Sequence, residues 1–359
     1  MATPASYLFT PGPVPIPEQV SRALQGPALH HRSQAFTELY REVQTGLRYF
    51  FQTQGLTGVF TAGGSAGIEM GMSSLFSPGE KVLVLDFGKF SQRWAAFAGF
   101  LGLELVSLSA DWGKSPSTKQ VLELAKQHPD LRGAVITHSE TSTGALVDLE
   151  EMAFGLRQVH REIILLVDAI TSAGALPYYH DAWGIDLSFS SSQKALKNPA
   201  GVMAYAMSER ALSRLQITIE GDHSNLYYYA KAAQGHSHPF TAPAQLMLGI
   251  NEALVEVKKE GLPQIWNRTQ QQARLFRGLL AELGAQVFPE EPSPSLSAFT
   301  WPGKDLKWLQ EWLVTEHRLL VAGGQGHLRE KILRVSHLTD HPTETWESLF
   351  FALKHAANM

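Results

Sequence analysis

The sequence predicts an α/β protein in which a large domain with a mainly parallel sheet is followed by a smaller α+β domain. From Thr57 to Tyr205, short apolar and β-branched runs alternate with longer segments of helical period, which is typical of a sheet covered by helices on both faces. The chain has 359 residues, more than the roughly 250 to 300 that one hydrophobic core usually sustains. We therefore expect a large domain over residues 1–245 and a small C-terminal domain over residues 246–359.

Seven apolar, β-branched runs are the predicted strands of the large domain. They are Gly58–Thr61, Val82–Asp86, Glu104–Leu108, Gly133–Thr137, Ile163–Asp168, Ile185–Phe189 and Val202–Ala206. The segments between them repeat apolar residues with helical period, and they predict helices over Ser65–Phe76, Phe90–Phe100, Thr118–Gln127 and Leu149–His160. Before the sheet, an apolar stripe predicts an amphipathic helix over Gln34–Thr53, and the proline-rich segment Met1–Pro17 predicts an extended arm.

The C-terminal domain begins with a long or broken helical pattern over Leu246–Leu283, followed by a proline-rich turn at Pro289–Pro294. Strand-like and helical segments then follow one another, which predicts a small α+β unit. Its elements are Leu296–Trp301, Leu306–Thr315, Leu319–Val321, Ile332–Val335 and Glu344–Ala357.

Composition excludes several classes of function. The 30 basic and 34 acidic residues nearly balance, so the chain lacks the positive excess that nucleic-acid-binding proteins use. We expect no membrane segment, because no apolar run approaches the roughly 20 residues that a membrane helix needs. The sequence contains 0 cysteines, which excludes disulfides, thiolate metal sites and cysteine nucleophiles. These features favour a cytoplasmic protein that acts on small molecules, and we expect no metal.

The strongest indication of chemistry is an aspartate that ends an apolar strand and a lysine that follows it. Asp168 ends the run Leu165-Leu166-Val167, and Lys194 comes 194 − 168 = 26 residues later. A buried amine loses its proton more readily, which makes it a nucleophile towards an aldehyde. An acid beside a pyridine nitrogen keeps that ring protonated and able to withdraw electrons from a substrate. The pair therefore suits pyridoxal 5'-phosphate (PLP), whereas a capping aspartate and a surface lysine are the structural alternative.

Three further strings lie at strand ends, where open α/β sheets bind ligands. Gly63-Gly64-Ser65 lies between a strand and a helix, where free amides and the helix dipole form a phosphate site. Phe90 could stack on a flat ring, and the polar run Thr137–Gly144 could contact a cofactor or a substrate. Each string also has a structural alternative, namely a tight turn, a core phenylalanine and a helix-capping loop.

In this order, these strings resemble the class V aminotransferases, especially the alanine–glyoxylate and serine–glyoxylate group. The resemblance extends over nearly the whole chain, from Thr10-Pro11-Gly12-Pro13 to Ile332-Leu333-Arg334-Val335-Ser336. Its most specific part is Ser192-Gln193-Lys194 with the upstream aspartate. It implies a PLP-dependent transferase of fold type I, which forms a homodimer with its active sites at the subunit interface.

The resemblance also implies a role for individual residues. Lys194 would form the Schiff base with PLP, and Asp168 would contact the pyridine nitrogen. Arg334 would hold the substrate α-carboxylate as a bidentate pair. The other cofactor contacts would be Gly63, Gly64, Ser65 and Gln193 at the phosphate, Phe90 on the ring face, Thr141 near the ring hydroxyl, and Thr241 of the neighbouring subunit at the phosphate. Two details depart from the family pattern, since position 90 is often tryptophan and the phosphate cup is usually a serine-glycine pattern.

The expected reaction is a double displacement, in which a small amino acid such as alanine or serine displaces Lys194 from the cofactor. The amino group then passes to a 2-oxo acid such as glyoxylate or pyruvate. The pair His31-Arg32 resembles the phosphoserine aminotransferase branch, so Arg32 is a candidate for binding an anionic substrate side chain or for anchoring a dimer. Phosphoserine or aspartate as donor is therefore the first alternative.

A second alternative, from another class, is a nucleotide-binding oxidoreductase. The glycines of Gly63–Gly67 precede a helix and Asp86 ends the next strand, about the spacing that ribose recognition needs. That interpretation leaves Asp168 and Lys194 unexplained. Cysteine desulfurases of the same fold are excluded, because they need a cysteine nucleophile.

Overall fold

The computed structural model describes residues 7–215 and 223–359 of the chain. Its strands are β1 Tyr7–Leu8, β2 Leu56–Thr61, β3 Lys81–Asp86, β4 Glu104–Ser109, β5 Leu131–Thr137, β6 Ser139–Glu140, β7 Ala145–Leu146, β8 Ile164–Asp168, β9 Leu187–Ser191, β10 Val202–Met207, β11 Gln286–Val287, β12 Leu296–Thr300, β13 Leu319–Leu320, β14 Ala322–Gly323 and β15 Leu333–Ser336. Its helices are α1 Glu18–Ala23, α2 Gln34–Phe51, α3 Gly64–Leu75, α4 Lys89–Phe100, α5 Thr118–Gln127, α6 Leu149–Val159, α7 Glu209–Arg214, α8 Leu226–Gln234, α9 Ala244–Glu260, α10 Leu262–Glu282, α11 Leu306–His317 and α12 Thr343–Ala357.

The large lobe is built on a sheet of seven strands in the order β2-β10-β9-β8-β5-β3-β4. Strand β10 runs antiparallel to both of its neighbours, and the other neighbouring pairs are parallel. The predicted fold class is confirmed. Parallel strands end at the same edge of a sheet, so the residues that follow β5, β8 and β9 are brought close together.

Apolar side chains cover both faces of this sheet because successive residues of a strand point to opposite sides. Leu165 and Val167 of β8 face the core formed with α2, α5, α6 and α9. Ile164 and Leu166 of the same strand face the core formed with α3, α4 and α8. The four apolar residues of β8 before Asp168 are thus expected of a strand in the middle of a sheet that is covered on both faces.

A second lobe surrounds the antiparallel sheet β11-β12-β15-β14. Its core combines residues of α10, α11 and α12 with Phe9 of the N-terminal arm. The arm joins this lobe directly, because β1 pairs in parallel with β13. Helix α9 packs instead on α1 and α2 of the large lobe, and Gly261, with a φ of 87°, separates α9 from α10. The domain boundary at residue 245 stays a prediction.

Among the described residues, we find no helix that combines the length and the apolar character needed to cross a membrane.

Candidate active site

Asp168 and Lys194 line the same cavity at the carboxyl edge of the large sheet. Strands β8 and β9 are parallel neighbours in which Asp168 pairs with Phe189, and Lys194 follows the end of β9 by three residues. The cavity has a volume of about 220 Å³. Its lining consists of Gly64, Ser65, Phe90, Trp94, Ser139, Thr141, Asp168, Ile170, Thr171, Gln193 and Lys194.

The Asp168 carboxyl is buried, and its environment favours its protonated form. Burial raises its pKa to about 7, and the negative charge of nearby Glu140 acts in the same direction. The backbone N–H of Ile170, 3.1 Å from Oδ1, opposes this shift. A cation placed against this carboxylate, such as a protonated pyridine nitrogen, would be strongly stabilised in so dry a site.

The Lys194 side chain is half-buried. Burial lowers its pKa, the nearby Arg334 charge acts in the same direction and Asp168 opposes them, so that together they bring the pKa to about 8. Its Nζ donates a hydrogen bond to the carbonyl of Pro11 in the N-terminal arm. A larger fraction of this amine is therefore neutral at physiological pH than is usual for lysine, as a nucleophile requires.

The phosphate-site prediction corresponds to the beginning of α3. Gly63 is the N-cap of this helix, and Gly64 and Ser65 of the first turn line the cavity with Gln193. The first N–H groups of a helix have no acceptor within the helix, and its positive dipole end attracts anions. In addition, the Arg93 guanidinium donates to Ser65 Oγ, which places a positive charge beside this turn. The arrangement suits a phosphate.

The predicted Phe90 and Thr141 line the cavity, and so does Ser139 of the predicted polar run Thr137–Gly144. Three further residues of the lining were not predicted from the sequence, namely Trp94, Ile170 and Thr171. Trp94 follows Phe90 by four residues on α4, so both aromatic rings lie on one face of the helix. That spacing is a signal that could have identified Trp94, whose Nε1 donates to Thr137 Oγ1 at 3.1 Å.

Arg334 lies on β15 of the small lobe and is almost completely buried. Its Nε and one terminal nitrogen donate to the carbonyl of Gly323 at 2.9 and 2.7 Å, and the other terminal nitrogen donates to the Thr141 carbonyl at 2.7 Å. A guanidinium has five N–H donors, so these three bonds leave two donors. Arg334 is not itself one of the residues that line the cavity, but it is fixed to Thr141, which is, and it keeps two donors for a carboxylate.

Arg32 and Thr241 lie elsewhere in the same chain. They line an open cavity of about 470 Å³ that shares no residue with the cavity of Lys194. The Arg32 guanidinium donates to the carbonyls of His238 and Pro239 at 2.8 and 3.0 Å. Arg32 therefore supports the loop that carries Thr241, and its predicted contact with a substrate stays a prediction.

The residues of the Lys194 cavity together fit PLP. A half-buried amine can reach an aldehyde, and a buried acid can reach a ring nitrogen. Two aromatic side chains provide apolar surface for a flat ring, and a helix N-terminus with a neighbouring arginine provides the anion site.

Comparison with known proteins places the chain in a family. The family model of class V aminotransferases matches residues 6–337. A solved structure of an aspartate aminotransferase of subgroup IV from Thermus thermophilus has a TM-score of 0.92 and 31% identity, covering 98% of this chain and 99% of that one. An alanine–glyoxylate aminotransferase structure from Nostoc sp. has the same TM-score and identity and covers 99% and 96% of the two chains.

A protein named soluble hydrogenase 42 kDa subunit from Anabaena cylindrica is 32% identical over 336 residues, which are 92% of this chain and 88% of that protein. The match to the class V aminotransferase model does not favour the alternative that the chain is a nucleotide-binding oxidoreductase. With a family model that spans residues 6–337 and a cavity that fits the cofactor, the chain belongs to the class V aminotransferases and is a PLP-dependent transaminase of fold type I.

Proposed function

We propose that this transaminase moves an amino group between a small amino acid, such as alanine or serine, and a 2-oxo acid, such as glyoxylate or pyruvate. The observation that carries the proposal is the charge of the cavity. Among the described residues that line it, Lys194 is the one cationic side chain, and Arg334 reaches its wall through the Thr141 carbonyl. The free edge of the Arg334 guanidinium can bind one carboxylate, which suits alanine, serine or glyoxylate. It suits a substrate with a second anionic group less well.

The names of these relatives support this substrate class without deciding the donor. At the same identity, one solved relative is named for alanine and glyoxylate and the other for aspartate. A substrate with a carboxylate or phosphate side chain would need a further cation. The candidate is Arg32, which in this chain lines a different cavity.

The proposed roles of the protein groups follow from their surroundings. When bound, PLP supplies an aldehyde that condenses with amines and a protonated ring that withdraws electrons from the substrate α-carbon. Gly64, Ser65 and Gln193 would hold its phosphate end, with Gly63 as the N-cap of their helix, and Phe90 would lie against its ring. The carboxylate of Asp168 would keep the proton on the ring nitrogen, and the amine of Lys194 would take up and return the α-proton.

A half-reaction screen tests the proposed substrate class. The purified yellow enzyme is mixed with one amino acid at a time, without an oxo acid, and the loss of the visible cofactor band is timed. Alanine or serine is expected to bleach the band fastest. If phosphoserine or aspartate reacts faster than both, the donor assignment is wrong and the corresponding alternative replaces it.

We also propose that the protein is a homodimer in which Thr241 completes the phosphate site of the neighbouring subunit. Support comes from the separation of the two cavities within one chain, because Thr241 is exposed beside Arg32 and not beside Gly64. Sedimentation should give a dimer, and Thr241→Ala should weaken PLP binding without altering the dimer. A cytoplasmic location is a further part of the proposal, and the absence of cysteine from the sequence is compatible with it.

Gly12→Ala is expected to lower kcat on the order of 10- to 100-fold, because small misplacements of a catalytic group have effects of this size. A Cβ on Gly12 would lie 2.6 Å from both Cδ and Cε of Lys194, and the φ of +125° at this position disfavours side chains. Steady-state kinetics measures the loss. Gly278→Ala is the control, since a Cβ there meets no atom within 4 Å, and it should leave kcat unchanged. Equal kinetics for the two variants would contradict the predicted steric effect.

The capture of PLP by the apoenzyme is expected to depend on pH with a midpoint near the Lys194 pKa of about 8. The neutral amine attacks the aldehyde, so the rate should fall about tenfold per pH unit below the midpoint and level off above it. Stopped-flow absorbance gives the profile. In Asp168→Asn the midpoint should move to lower pH, because the variant loses a charge that raises the Lys194 pKa. A midpoint near the ordinary lysine value of 10.5 would contradict the prediction.

A further inference from the structure

Glu140 is a buried carboxylate next to the cavity, and none of the roles proposed above involves it. Its side chain is 0% exposed, and it belongs to the short hairpin of β6 and β7, in which it pairs with Ala145. Burial of a carboxylate is costly unless hydrogen-bond donors surround it. The contacts that compensate for this cost show which parts of the site Glu140 organises.

Four donors converge on the two carboxylate oxygens. Oε2 accepts from the backbone N–H groups of Phe90 and Ser91 at 3.1 and 2.9 Å. Oε1 accepts from the N–H and the hydroxyl of Ser142 at 3.0 and 2.7 Å. The first pair belongs to the beginning of α4, where the helix dipole also favours a negative charge. Glu140 thus connects the helix that carries Phe90 with the turn that carries Thr141.

The close fit extends to the residues around this carboxylate. A Cβ on Gly88 would lie 2.5 Å from Glu140 Cδ, so a residue other than glycine would displace the carboxylate or the helix start. The hydroxyl of Ser142 also accepts from the Lys89 N–H at 2.9 Å. The turn is held from the other lobe too, since Ser293 N–H donates to the Gly144 carbonyl at 2.8 Å.

The turn that carries Thr141 also positions Arg334, the proposed ligand of the substrate carboxylate. The carbonyl of Thr141, the residue after Glu140, accepts the hydrogen bond from Arg334. The Glu140 charge also raises the pKa of Arg334, which burial lowers to about 10, so the two charges are close enough to interact. A shift of this turn would therefore move Thr141 and Arg334 together, and a shift of α4 would move Phe90.

We propose that Glu140 is a positioning residue whose carboxylate holds Phe90 and the Thr141 carbonyl in place, and through that carbonyl Arg334. The proposal rests on the proposed function, because it assigns the cofactor face to Phe90 and the substrate carboxylate to Arg334. Neither the cofactor nor the substrate needs to touch Glu140 for this role.

Glu140→Gln tests the role of the carboxylate at nearly constant shape. An amide has one acceptor oxygen, so two of the four donors would face an NH₂ group. We expect the dissociation constant of PLP, measured by absorbance titration of the apoenzyme, to rise about tenfold or more. We also expect KM for the amino acid to rise by a larger factor than kcat falls. Glu151→Gln, at an exposed position of α6, is the matched control and should leave both constants unchanged.

The outcomes separate this inference from the proposed function. If wild-type protein fails to bind PLP, the proposed function fails. If wild-type protein binds PLP and a folded Glu140→Gln protein has wild-type constants, or only a lower melting temperature, the positioning role fails.

Should Glu140→Gln not fold, Ser142→Ala replaces it. This variant removes one donor to Oε1 and keeps the charge, so a PLP dissociation constant raised about threefold is expected. An unchanged constant in Ser142→Ala would overturn the inference.

Discussion

Lys194→Ala is expected to abolish multiple turnover while the protein remains folded. Positioned proton transfer contributes on the order of 10²- to 10⁴-fold to a rate, and the loss of the covalent bond to the cofactor adds to this. Lys194 is the one amine among the described residues that line the cavity with Asp168. No described neighbour in that lining can therefore replace it as both nucleophile and base. Steady-state transamination with alanine and glyoxylate measures the loss.

Reduction with borohydride identifies the lysine independently of activity. The label from bound PLP should appear on the peptide that contains Lys194, and the Lys194→Ala protein should remain unlabelled. Lys119→Ala is a suitable control, because Lys119 is an exposed residue of α5 whose ion pair with Glu123 contributes little. A label on a different lysine of the wild-type protein, or sustained turnover by Lys194→Ala, would disprove the assignment.

The pairing of Asp168 with Lys194 could be predicted because it depends on sheet geometry more than on side-chain detail. Asp168 ends one predicted strand and Lys194 follows the next, and adjacent parallel strands end at one edge. The beginning of α3 could be predicted for the same reason, since a glycine-rich segment joins a strand to a helix there. These features need only local patterns and the connection rule.

Other parts of the molecule could not be predicted because long-range packing determines them. Helix α8 contains a run of three tyrosines, Tyr227 to Tyr229, which is not a strong helical pattern. It nevertheless packs on β2 and completes the core that α3 and α4 form on one face of the large sheet. In the sequence, Glu140 is one residue of a polar run. The N–H groups of Phe90 and Ser91 that donate to its carboxylate belong to a segment about 50 residues away, so this contact cannot be predicted from local pattern. The continuous helical pattern from Leu246 to Leu283 did not show where it breaks, which is at Gly261.

A domain boundary that is placed by sequence pattern differs from one that is placed by the packing of side chains in the two cores. A long helical pattern begins near residue 245 and predicts the boundary there, but α9 contributes Met247, Ile250 and Leu254 to the core of the large lobe. Apart from Phe9 of the N-terminal arm, the residues of the small-lobe core begin at Phe276, within α10. Limited proteolysis near Gly261 would test where the two lobes separate.

Arg334→Ala is expected to weaken binding of the substrate carboxylate by roughly 2 to 5 kcal/mol, the range for truncating one partner of a buried charge pair. KM for alanine should then rise about 30-fold or more, since 1.4 kcal/mol corresponds to a factor of ten. Arg334 is 6% exposed and is oriented by the carbonyls of Gly323 and Thr141, so its two remaining donors have a fixed direction. Burial lowers its pKa to about 10, which still leaves it charged at neutral pH.

Ethylamine separates the loss of a carboxylate contact from a general disturbance of the site, because it resembles alanine without the carboxylate. In the half-reaction, Arg334→Ala should bleach the cofactor band with ethylamine at the wild-type rate, although the variant is slow with alanine. The removed side chain also leaves the carbonyls of Gly323 and Thr141 without their donors. If that structural loss dominated, both amines would react slowly. An unchanged preference for alanine over ethylamine would show that the carboxylate binds elsewhere, because a contact with Arg334 must disappear with the guanidinium.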